Sequence, residues 1–122
     1  MAKWFIALGA FFTMSGVALG AFGAHGLKGK LAQNLLETYQ TGVHYQQIHG
    51  LGLILIGLLL LAMPSNLLNW AGWAHVIGIL LFSGSLYVLS MTGITKLGMI
   101  TPFGGVLFIA GWFLVIVAAL MR

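Results

Sequence analysis

Apolar residues fill four long runs of this chain, and polar residues gather between them. The runs are Trp4 to Ala24, Tyr45 to Met63, Trp70 to Ser90 and Phe103 to Met121. Each is about as long as a helix must be to cross a bilayer, roughly 20 residues. Backbone polar groups cannot stay unpaired in hydrocarbon, so such runs are expected to be helices. They do not alternate with the two-residue period of a barrel strand. The expected fold is an all-α integral membrane protein with four transmembrane helices, forming one domain over residues 1–122.

The polar segments set the connections. Gly26, Gly29, Lys28 and Lys30 mark a turn after the first helix. Leu31 to His44 is more polar, lacks proline and keeps a helical period, so it should run into helix 2 as an amphipathic extension. Met63-Pro64-Ser65-Asn66 breaks that helix, and the short link to Trp70 predicts an antiparallel hairpin with helix 3. Helix 3 should end near Ser90, before Thr92-Gly93. Thr101 can cap helix 4, and Pro102 suits its first position, where a missing N–H costs nothing. Trp4, Trp70 and Trp73 fall at helix ends on one membrane side, where indole rings favour the interface. Trp112 lies mid-helix and is expected to pack.

Composition sharpens this picture. The chain of 122 residues is 61% hydrophobic and only 5% charged, with a mean hydropathy of +1.08. Too little charge is available for a water-facing surface, so the lipid bilayer is the expected surrounding. Glu37 is the single acidic residue; Lys3, Lys28, Lys30, Lys96 and Arg122 are the basic ones. These cations are isolated and sit at the ends of apolar runs, so they suit lipid headgroups and topology rather than nucleic acid. Lys28, Lys30 and Lys96 share one side, and Lys3 and Arg122 the other. The positive-inside rule then places both termini on the non-cytoplasmic side. No cysteine is present, which excludes thiolate metal sites and thiol nucleophiles. The first run resembles a secretory signal in Lys3 and in Ala21, Gly23 and Ala24. It exceeds the usual apolar core of about 7–15 residues, so a retained helix is expected.

Two helical stripes carry candidate chemistry. Gly9, Thr13, Gly16, Gly20 and Gly23 recur at spacings of four and three, with a G-x-x-x-G step at Gly16 and Gly20. Small residues on one face let another backbone approach closely, either within the bundle or in a second copy of the chain. Gln33, Glu37, Gln40, His44 and Gln47 form a comparable polar stripe on the helix-2 segment. One reading is an amphipathic helix lying wet among headgroups. Others are a buried polar seam within or between protomers, or a binding site in which Glu37 and His44 titrate. Glu37 and His44 are two turns apart, so Gln40, Thr41 or water would have to bridge them.

The remaining candidates are weaker. His49 follows His44 by five positions, so the two should point apart, and the H-E-x-x-H spacing is absent. His25 falls in the glycine turn, and His75 is expected near an interface. Four scattered histidines point to no metal, and no cofactor is expected. Ser83, Ser85, Tyr87 and Ser90 supply hydroxyls that should bond helix carbonyls or a neighbouring helix. None has an activating base nearby in sequence, so an enzyme is not expected. Gly29-Lys30 fails as a phosphate loop, because Ala24 and Leu31 occupy its other defining positions.

Several strings together carry a resemblance: Leu19-Gly-Ala-Phe-Gly-Ala-His-Gly-Leu27, Glu37-Thr-Tyr-Gln-Thr-Gly-Val-His-Tyr45, His49-Gly50, Ser83-Gly-Ser-Leu-Tyr87 and Thr101-Pro-Phe-Gly-Gly105. Through these the chain closely resembles the YgdD family of small bacterial inner-membrane proteins (domain of unknown function 423). The resemblance implies a four-helix integral membrane protein of the inner membrane of a Gram-negative bacterium, and it brings no mechanism with it. The expected role is that of a non-enzymatic protein acting by helix packing, with itself or with other membrane proteins. The alternative is an oligomeric proton-linked transporter or channel built on the Glu37/His44 stripe.

Overall fold

Residues 1–121 are described by the computed structural model; Arg122, one of the two cations assigned to the terminal side, lies outside the described residues. Four helices follow in order: α1 (Ala2–His25), α2 (Gln33–Ala62), α3 (Asn66–Thr92) and α4 (Thr101–Leu120). A short 3-10 helix, Thr95–Met99, precedes α4. All four spans are long and apolar enough to cross a bilayer. The polar segment from Gln33 is continuous with α2, as its periodicity implies, and makes that helix 30 residues long.

The helix ends have local causes. Ser65 caps α3, its hydroxyl accepting from the Leu67 N–H at 3.1 Å. Gly93 ends α3 in the left-handed region at φ 73°, open to glycine at little cost. Two expectations need correction. Thr101 does not cap α4: it is already helical, with Ile100 at the cap position. Its hydroxyl instead lies 2.6 Å from that of Ser85, tying α4 to α3. His25 closes α1 rather than occupying the turn.

The helices alternate in direction and pack in chain order, α1 on α2, α2 on α3, α3 on α4. Glycines make this packing close. A Cβ on Gly9 would lie 2.6 Å from the Gly50 carbonyl oxygen, and one on Gly104 would lie 2.5 Å from the Phe82 nitrogen. Such spacing brings backbones together and gains van der Waals contact where lipid supplies no hydrophobic drive between helices. Phe5, Leu53, Ile56, Leu68 and Ala71 form the core where α1, α2 and α3 meet. α1 and α4 are therefore the outer helices and are the less buried.

Trp4, Trp70 and Trp73 are exposed at the end of the bundle shared by the N-terminus and the α2–α3 turn, as expected. The Lys3 ammonium lies 5.8 Å from the Trp4 ring centroid. At about 1.5 Å per residue, α2 extends about 45 Å, well beyond a hydrocarbon core of roughly 30 Å. Measured from Ala62 at the tryptophan end, Glu37 lies about 37 Å along the axis and His44 about 27 Å. Measured this way, Glu37 lies beyond the length of a hydrocarbon core and His44 within it.

Candidate functional site

The two sequence stripes end in different places. The small stripe of α1 faces α2 within the same chain. Gly9 meets Gly50 and Ile54, Gly16 meets Gln47, Gly20 meets Val43, and Gly23 meets Tyr39. Thr13 turns its hydroxyl back to the Gly9 carbonyl at 2.8 Å. Of the two readings for this stripe, contact within the bundle is the one observed.

The polar stripe is split. Gln33, Glu37, Gln40 and His44 are exposed, whereas Gln47 is half-buried beneath Gly16. Gln33 Nε2 donates to Glu37 Oε1 at 3.3 Å. Glu37, Gln40, Thr41, His44 and Tyr45 border a shallow hollow of about 350 Å³. Below His44 the same helical line continues as Ile48, Leu51, Leu55 and Leu58, all exposed. One side of α2, polar toward the headgroups and apolar below, is thus left uncovered between α1 and α4.

The polar groups that the bundle does enclose are others. Gln46 is buried among α1, α2 and α3. Its Nε2 donates to the Phe12 carbonyl and to Ser15 Oγ, both at 2.9 Å, and its Oε1 accepts from the Tyr87 hydroxyl at 2.6 Å. Tyr39 donates to the Leu19 carbonyl at 2.6 Å, and Ser83 to the Gly42 carbonyl at 2.7 Å. Ser85 and Ser90 donate to carbonyls three residues back, Phe82 and Tyr87. The hydroxyls of α3 therefore do what serines in membrane helices do, bonding either the preceding turn or a neighbour.

A second enclosed group joins α2, α3 and α4. Trp112 Nε1 donates to His49 Nε2 at 3.0 Å. An indole N–H can only donate, so that imidazole nitrogen carries no proton. The proton is on Nδ1, which donates to the Tyr45 carbonyl at 2.8 Å. His75 repeats half of this arrangement: its Nδ1 donates to the Ala71 carbonyl at 2.9 Å. Its Nε2 is buried and has no partner among the described residues. His75 is fully buried within the bundle. Gly52 and Gly111 make the room for it, since a Cβ on Gly111 would lie 2.7 Å from the His75 ring.

Phe108 stacks on His49 with ring centroids 3.5 Å apart. His49 and Trp112 form the inner part of a lateral groove of about 560 Å³ between α2 and α4, which also takes in His44, Tyr45, Ile48, Pro102 and Ile109. That size falls in the range of small-molecule sites, roughly 300–1,000 Å³. His44 and His49 point apart, as their spacing implies: one is exposed and one buried. The sequence stripes named neither Gln46 nor the His49–Trp112–His75 group. Their only sequence signal is a large polar side chain inside an apolar run, which by default marks a site.

Comparison with known proteins agrees with this architecture. Residues 19–105 match the family model described as "Protein of unknown function (DUF423)". A UPF0382 membrane protein of Staphylococcus haemolyticus is 53% identical over 95% of this chain and 94% of its own length. The UPF0382 membrane protein YwdK of Bacillus subtilis is 49% identical over 96% of each chain. No solved structure matches.

Proposed function

The chain belongs to the DUF423 family of membrane proteins, and within that family we propose that it is a non-enzymatic interaction protein that associates with a second copy through the uncovered side of α2. The observation carrying this reading is the continuous exposed line Glu37, Gln40, His44, Ile48, Leu51, Leu55 and Leu58. Flanked by α1 and α4, it offers a second helix polar partners near the headgroups and apolar surface below. A polar side chain such as His44 just inside the hydrocarbon gains from a partner that lipid tails cannot supply. On this reading the chain is a multi-pass protein of a bacterial inner membrane, and the excess of Lys28, Lys30 and Lys96 over Lys3 and Arg122 favours termini on the non-cytoplasmic side.

Copies bearing two different tags, co-expressed and extracted in mild detergent or nanodiscs, will co-purify. A strictly monomeric species under all of these conditions would contradict the reading.

A second reading draws on the hollow bordered by Glu37, Gln40 and His44. Two copies facing each other would enclose it and form a proton-linked path. Reconstituted proton flux that falls in Glu37→Gln and His44→Ala would favour this reading. Flux identical in wild type and both variants would remove it.

A further inference from the structure

The group around Trp112 is short of one hydrogen-bond donor. His49 and His75 both commit Nδ1–H to the carbonyl four residues earlier. Each therefore presents a bare Nε2 inside the bundle. The two rings lie 5.3 Å apart, and the Trp112 and His75 rings are nearly perpendicular, 4.6 Å between centroids. His75 Nε2 and Trp112 Cζ2, a ring carbon beside the N–H end, both border the same point above Gly52, at 3.3 and 2.9 Å. The Trp112 indole thus packs against both imidazoles, and it carries a single N–H. His49 holds it, and the acceptor left over is the one sealed from solvent. A buried acceptor without a partner is costly, about 1–3 kcal/mol.

The acceptor that holds the donor is also the one that borders the groove. His49 lines the α2–α4 groove and His75 does not. A molecule in the groove that donated to His49 would free the indole for His75, and both imidazoles would then be satisfied. An acceptor-only molecule could do neither. The rest of the groove is largely apolar, with Ile48, Phe108 and Ile109 along it and His44 at the headgroup end. We propose that this groove binds a membrane-soluble molecule with an apolar body and a hydroxyl or N–H donor, which bonds His49 Nε2 and transfers the Trp112 indole to His75 Nε2.

The test compares dodecan-1-ol with its methyl ether, equal in apolar body but different in donor, added to the intact protein in nanodiscs. The readout is the Trp112 indole ¹⁵N–H resonance, assigned with Trp112→Phe. The expected result is a saturable shift of that resonance, leaving those of Trp4, Trp70 and Trp73 in place. The alcohol should half-saturate at a concentration at least about fivefold below the ether, the lower end of what relieving a buried unpaired acceptor is worth. In His75→Phe the indole has no second acceptor, and the alcohol's advantage should vanish. Equal responses to the two compounds, no movement of the Trp112 resonance, or a preference retained by folded His75→Phe would each overturn the proposal.

Discussion

Trp112 and His49, 63 positions apart, are joined by a 3.0 Å hydrogen bond across the groove between α4 and α2. These two helices are not sequence neighbours, and most of α4 rests on α3 instead. The bond also fixes the protonation pattern of His49, because the indole demands a bare Nε2. Replacing Trp112 by phenylalanine keeps an aromatic ring but leaves that nitrogen without its donor. A loss of about 1–3 kcal/mol is expected in reversible unfolding from mixed micelles. An unchanged unfolding midpoint would mean that the bond contributes nothing to joining α2 and α4.

Gln46 is the corresponding tie on the other side of α2. It reaches Phe12 and Ser15 on α1 and Tyr87 on α3. Gln46→Leu and Tyr87→Phe should each destabilise, and a double-mutant cycle should show them coupled. Hydrogen bonds between membrane helices average about 0.6 kcal/mol, so a coupling of that order, up to about 1.7, is expected. Strict additivity would show that the Tyr87–Gln46 bond is absent in the membrane.

The glycines should differ sharply in tolerance. A Cβ on Gly9 meets backbone atoms of Gly50 and Ile54, which cannot step aside, whereas one on Gly20 meets only a Val43 methyl at 3.2 Å. One on Gly84 meets nothing within 4 Å. Gly9→Ala should cost about 1–3 kcal/mol by forcing α1 away from α2. Gly20→Ala should cost less, and Gly84→Ala should be neutral or stabilising, because alanine is the better helix former. Thermal unfolding of the three variants in one detergent measures this order.

How much of this was legible beforehand depended on the range of the interaction. The four spans, the α2–α3 break at Pro64, the interfacial tryptophans and the bonding of the α3 hydroxyls follow from composition and from neighbours within one turn. The stripe of α1 could be seen on its helix, but its partner on α2 could not. A period shows which residues share a face and is silent on what covers it. For the same reason the polar stripe drew attention to Glu37 and His44, which the bundle leaves outside. Gln46 and His49, further around the same helix, are the polar side chains that it encloses. The burial of His75 was not legible either, because the room for its ring comes from Gly52 and Gly111 on two other helices.

Alternating helix directions put Lys28 and Lys96 on one membrane side and Asn66 on the other. The chain has no cysteine, so single-cysteine variants give unambiguous labels. Lys28→Cys and Lys96→Cys should react with an impermeant maleimide only after the cytoplasmic face is opened, and Asn66→Cys without opening. The reverse pattern would keep the four spans and invert the orientation, while labelling of Lys28→Cys and Asn66→Cys from the same side would contradict the span count.

The most direct test of the association reading is oxidative cross-linking in native membranes. Ile48→Cys and Leu51→Cys place a thiol on the uncovered line of α2; Phe113→Cys, still more exposed on α4, is the control. A disulfide requires Cα atoms within about 7 Å, so only residues facing their own counterpart, or passing close to it, will join. The α2 variants are expected to form covalent dimers and the α4 variant to remain monomeric. Dimers absent from both α2 positions, or formed equally at all three, would contradict the account.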